Sequence, residues 1–173
     1  DSDTFGSVLA CTKFYWLDTL GNVLKRKIYS EPEIGYSPGH AGSLKLSVDK
    51  KSMFLVGAIQ SETPLNADEL FYRFDLEGNV LAKKTYGGSN FEIFYNSIQT
   101  TKNDFYLIGS TRKYGNRQDD DGHVVKVDSS GNIKWEKRIG GTEFDIGYMV
   151  DKIDNRRILT SSFSDNFKII GNA

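Results

Sequence analysis

Apolar and polar residues alternate along most of this chain in short runs, the period-two pattern of half-buried strands. Phe71-Tyr72-Arg73-Phe74 runs into Asp75-Leu76-Glu77-Gly78-Asn79, and Val80-Leu81-Ala82-Lys83-Lys84-Thr85-Tyr86 returns. Glycine takes a positive φ without steric cost and asparagine tolerates it, so the segment reads as strand, tight turn, strand. The same reading fits residues 14–29 and 123–139. Asp18 and Gly21, Asp75 and Gly78, and Asp128 and Gly131 then share one structural turn position. A second hairpin follows each first one: 43–48 with 53–58, 96–100 with 105–110, and 148–152 with 157–162.

The three turn aspartates lie 57 and 53 residues apart. Val56-Gly57-Ala58, Ile108-Gly109-Ser110 and Thr160-Ser161-Ser162 recur at intervals of 52. These two landmarks predict three units, about residues 13–61, 70–113 and 123–165, with four antiparallel strands in each. A sheet of four strands does not bury both faces alone, and stacking sheet on sheet is the logic of a β-propeller blade. The expected fold is all-β: a single domain over 1–173, with about three four-stranded blades belonging to a larger ring. The chain opens at Asp1 without Met, which fits a processed chain or a piece of such a ring. A two-copy ring and a compact four-bladed ring are the other readings. No amphipathic pattern is long enough for a crossover helix, and 66–70 allows one helical turn at most. Gly87-Gly88 and Gly140-Gly141 mark the passage between hairpins, where residues 29–42 stand in the first unit.

The segment Asp128-x-x-Gly131-Asn132-x-x-Trp135-Glu136-Lys137-x-x-Gly140-Gly141 resembles the repeat of bacterial secreted or lipid-anchored β-propellers, themselves distantly similar to the quinoprotein-like propeller. The resemblance covers about residues 14–165. It implies a secreted, periplasmic or cell-surface protein and a scaffold or adhesin role. Only the third unit carries the tryptophan; Lys25 and Ala82 stand at the corresponding positions.

Composition narrows the function classes. Aromatic residues make up 13% of the 173 residues, and hydrophobic residues 38%, enough for a packed core. The formal net charge of −1 and the lack of a basic stripe argue against a nucleic-acid partner. Lys25-Arg26-Lys27 reads as a solvated strand end. No apolar run is long enough to span a bilayer. The single cysteine, Cys11, excludes an internal disulfide, and its neighbours Leu9 and Ala10 suggest a buried thiol.

Candidate chemistry is sparse. His40 and His123, the two histidines, occupy unrelated positions and read as surface or turn residues, not a zinc pair. Asp119-Asp120-Asp121-Gly122 is the densest acidic run; it lacks the spacing of a calcium loop and reads as a solvated turn. No catalytic residues, metal ligands or cofactor are assigned. Tyr36, Tyr114 and Tyr148, near glycine-rich loops, are the candidate ligand-binding residues, suited to stacking on a sugar or peptide. The expected function is a noncatalytic binding or scaffold module, partnered by another protein chain or further blades, with a glycan as a further partner. The alternative is a carbohydrate-active hydrolase or lyase using loop carboxylates.

Overall fold

The computed structural model describes residues 10–164, apart from 33, 40–41, 62–65, 89, 113–119, 142–143 and 155. Its described residues form thirteen strands: β1 (Thr12–Leu17), β2 (Val23–Tyr29), β3 (Ile34–Pro38), β4 (Lys45–Leu46), β5 (Ser52–Ser61), β6 (Asn66–Asp75), β7 (Val80–Tyr86), β8 (Glu92–Thr101), β9 (Asp104–Thr111), β10 (Asp121–Val127), β11 (Ile133–Ile139), β12 (Asp145–Lys152) and β13 (Ile158–Ser164). No helix occurs among these residues. Residues 66–70, expected at most as a helical turn, open β6 instead. Ladder pairing to both β5 and β7 outweighs the helix propensity of Ala67, Glu69 and Leu70.

All named pairings are antiparallel, and the strands form four separate open sheets. One is β1–β2. The second has the order β3-β5-β6-β7, with β4 beside β5. The third runs β8-β9-β10-β11, and the last is β12–β13. None closes on itself, and no ring of equivalent blades forms. The expected β-propeller is therefore corrected to an open all-β stack.

The predicted units fail for a traceable reason. Each was expected to fold its two hairpins into one sheet, but the structure splits them. β6–β7 belongs with β5, while β8–β9 belongs with β10–β11. The long ladder of β5 against β6, from Ser52↔Asp75 to Ser61↔Asn66, joins residues from two predicted units into one sheet. The sheets so formed are unequal, from two strands to five.

Three apolar clusters lie between successive sheets. Phe14, Tyr36, Leu55, Tyr72 and Phe74 pack β1–β2 onto the second sheet, with Trp16 and Tyr29 at the edge. Phe54, Val56, Phe71, Phe94, Phe105 and Val125 join the second sheet to the third. Ile98, Ile108, Val124 and Val150 join the third to β12–β13. Successive side chains on a strand point to opposite faces, so Met53 and Leu55 serve one cluster while Phe54 and Val56 serve the next. The middle sheets are thus covered on both faces, which is why β5 reads as a nearly continuous apolar run from Met53 to Ile59.

The three Asp-x-x-Gly-Asn turns have a common construction. In each, the glycine amide donates to the aspartate carbonyl and the aspartate amide to the asparagine carbonyl. The asparagine amides donate to the aspartate carboxylate at 2.6–3.0 Å. Gly21, Gly78 and Gly131 have φ of 87°, 81° and 83°. Lys25 and Lys27, expected to be solvated, reach across to the second turn and donate to the carbonyls of Glu77 and Gly78.

Candidate functional site

The chemistry gathers at the end of the sheets opposite these turns. The chain passes from the second sheet to the third through 86–92, and from the third to the last through 139–145. Strands β6, β8, β10 and β12 all start at that end, and acidic side chains stand in or beside their first residues. The topology thus places Asp68, Glu69, Glu92, Asp121, Asp145 and His123 at this one end of the sheets.

The glycine pairs make room for these carboxylates. The Gly141 amide donates to Asp145 Oδ2 at 2.7 Å, and the Gly88 amide to Glu92 Oε2 at 3.3 Å. A Cβ on Gly87 would lie 2.3 Å from Asp68 Oδ1, and one on Gly140 would lie 2.4 Å from Asp121 Oδ1. Neither position accepts a side chain without displacing an acid.

Glu69 and His123 form the most enclosed polar contact, each 1% exposed. They belong to different sheets. His123 Nδ1 lies 2.7 and 3.0 Å from the two oxygens of Glu69, so Nδ1 carries the proton and donates to the carboxylate. Nε2 lies 3.5 Å from Glu136 Oε2, and the ring stacks on Phe94 with centroids 6.1 Å apart. A charge buried this deeply is tolerable only when paired. The imidazole between two carboxylates is the pairing, and it bolts the second sheet to the third. Sealed from solvent, His123 has no route to a substrate proton.

Other carboxylates at this end are also engaged. Arg112 Nε lies 2.6 Å from Asp120 Oδ1, and Arg138 Nε 2.8 Å from Asp121 Oδ1. Asp120 and Asp121 are buried, whereas their sequence suggests a solvated turn. Asp68 differs. Burial alone raises its carboxyl above the usual range, and its Oδ1 accepts no hydrogen bond. It lines a cavity of about 180 Å³ with Ile34, Ile59, Gln60, Asn66 and Thr85. A larger hollow of about 340 Å³ lies between Cys11, Phe14, Pro38 and Leu44 and is mainly apolar. Cys11, expected to be buried, is half-exposed there.

The residues singled out in the sequence are scattered. Tyr36 is buried in the first cluster, where its hydroxyl accepts from Lys83 Nζ at 2.6 Å. Tyr148 is 36% exposed and packs on Tyr95, with ring centroids 5.5 Å apart. Tyr114, His40 and Asp119 lie outside the described residues. The six turn residues sit at the far end of the sheets. Sequence reasoning missed the Glu69–His123 pair because 54 residues separate the partners and no local motif contains both. Among the described residues, no three His, Cys, Asp or Glu side chains are grouped to hold a metal ion. No described helix is long and apolar enough to cross a membrane.

No protein-family model matches the chain, and no curated protein matches it. The resemblance to secreted or lipid-anchored β-propeller repeats is therefore corrected on two grounds: the sheets are open and unequal, and no family match supports it. The Asp-x-x-Gly-Asn segments that carried it specify a tight turn, and such a turn serves any antiparallel hairpin.

Proposed function

We propose that the chain is a noncatalytic binding module that seats a partner protein on the outer face of β12–β13. The carrying observation is the exposure of Met149, Leu159 and Phe163, at 61%, 60% and 48%. Leu159 and Phe163 alternate on β13, and Met149 stands opposite Ser161 between them, so all three share one face. Val150 and Ile158 on the other face pack toward the third sheet. A two-stranded sheet gains little stability by itself, and an apolar outer face on it is suited to burial against another protein. The engaged state of Asp120, Asp121 and Glu69 supports a binding role over hydrolysis, because those carboxylates already hold internal partners.

A photoreactive residue placed at 159, compared with one at the exposed turn residue Leu20, tests this in cells that make the protein. The expected result is a discrete protein adduct at 159 that is missing at 20 and lost when Met149→Lys is added. The same adducts from both positions, or none from 159, would refute it.

A further inference from the structure

The hairpins β6–β7 and β10–β11 share one register. Glu69↔Tyr86 and Leu70↔Thr85 in the first correspond to Gly122↔Ile139 and His123↔Arg138 in the second, each residue 53 positions on. In that register Asp68 corresponds to Asp121, Gly87 to Gly140, and Glu92 to Asp145. The local surroundings correspond as well. A Cβ on Gly87 would meet Asp68 Oδ1 and Glu92 Oε2, and one on Gly140 would meet Asp121 Oδ1 and Asp145 Oδ2. Two carboxylates therefore flank the crossing in both places.

They differ in one respect. The second pair has a cation, Arg138, whose Nε lies 2.8 Å from Asp121 Oδ1. At the corresponding position of the first pair the chain has Thr85, which is neutral and far shorter. A cavity of about 180 Å³ opens there, lined by Asp68 and Thr85 themselves. Gln60 and Asn66 add polar groups, and Ile34 and Ile59 an apolar wall. Asp68 Oδ1 is buried without a hydrogen-bond partner. That oxygen is turned to Gly87 and closed to solvent; the rest of the Asp68 side chain lines the cavity, and a charged donor is the strongest complement of a carboxylate there.

We propose that this cavity binds an organic cation, a guanidinium or primary ammonium on a short aliphatic stem, which pairs with the part of the Asp68 side chain that lines it and supplies the charge that Arg138 supplies to Asp121. The volume corresponds to about six water molecules at roughly 30 Å³ each, room for a guanidinium and a few methylenes. The planar guanidinium suits the carboxylate, and Ile34 and Ile59 suit the stem. Thr85 is exposed, so the cavity is reached from solvent. The site lies away from the outer face of β12–β13 and does not depend on the docking reading. The cation has two sources, a free small molecule or the arginine side chain of another protein.

Titration of the intact chain, followed by amide NMR at constant ionic strength, tests the proposal. The probes are agmatine and a blocked arginine tripeptide. Saturable shifts are expected at 66–68 and 85–88, at least tenfold weaker in Asp68→Asn and absent in Thr85→Arg, where the new side chain fills the cavity. Equal affinities for the two probes identify a free cation as sufficient; a peptide at least tenfold tighter identifies a protein side chain. Unmoved resonances with both probes, or undiminished binding to Asp68→Asn, would overturn the assignment. The Asp68→Asn comparison decides the matter even if Thr85→Arg does not fold.

Discussion

The Tyr86 hydroxyl donates to the main-chain carbonyl of Gly131, 2.7 Å away in the next sheet. Tyr29 makes the corresponding bond to the Gly78 carbonyl. The second and third turns thus close their own hairpins and each also receives a tyrosine from the sheet before it. Burial pushes the Tyr29 hydroxyl up to about 12 and moves that of Tyr86 in the same direction, so both remain protonated donors at neutral pH. Ile139 takes this position in the third hairpin and offers no donor.

Removing only the hydroxyl isolates this bond. Tyr86→Phe is expected to destabilise the chain by about 1 kcal/mol, the net worth of one hydrogen bond. Ring packing on Phe94 is kept. The midpoint of urea unfolding measures the loss, and an unchanged midpoint would assign the bond no weight.

The turn glycines separate conformational strain from crowding. Gly21 and Gly131 have nearly the same positive φ. A Cβ on Gly21 meets nothing within 4 Å, whereas one on Gly131 lies 2.5 Å from Lys84 Cγ and 3.0 Å from the Tyr86 hydroxyl. Gly21→Ala is expected to cost about 1 kcal/mol from the backbone alone. Gly131→Ala should cost more, by displacing the side chains docked on the turn. Equal losses in denaturant melts would show that the docking contacts give way freely.

Acid should weaken the same turns. Bonds from the Asn22 side chain and amide lower the Asp18 carboxyl, and the Asn79 amide leads the same effect at Asp75. At Asp128 burial pulls upward, but the Asn132 amide and side chain outweigh it. A carboxyl with a lowered folded pKa stabilises the fold fully above its unfolded value near about 4 and loses that contribution as pH falls through the folded value. Melting temperature should therefore fall below about pH 4, and Asp75→Asn should flatten part of that slope. A slope identical to wild type would exclude Asp75 as a contributor.

The strands and turns were legible because their causes are local. Alternation at Phe71–Phe74 and the Gly78-Asn79 turn fix a hairpin without reference to the rest of the chain. Sheet membership was not legible. Whether β6–β7 joins β5 or β8–β9 depends on the ladder from Ser52↔Asp75 to Ser61↔Asn66, which no periodicity announces. The acidic end was hidden for a related reason. Asp121 reads as part of a solvated turn, and nothing local marks Asp68, Glu92 or Asp145, until the crossings set Asp68 beside Glu92 and Asp121 beside Asp145. Thr85 opposite Leu70 carries no signal until it is compared with Arg138 opposite His123.

The Glu69–His123 contact predicts strongly non-additive mutational effects. Removing either partner takes from the other its nearest charged complement, and losses on breaking a buried pair run to about 3–5 kcal/mol. Glu69→Gln leaves His123 between one carboxylate and a neutral amide, while His123→Leu leaves Glu69 with no imidazole donor. Replacing both together by Glu69→Leu and His123→Leu removes the desolvation cost along with the attraction, so the double variant should lie within about 2 kcal/mol of wild type. A cycle of unfolding free energies over Glu69→Leu, His123→Leu and the double variant measures the coupling. Coupling above about 1.5 kcal/mol is expected from a buried charged pair; additive losses would mean that the two side chains act independently.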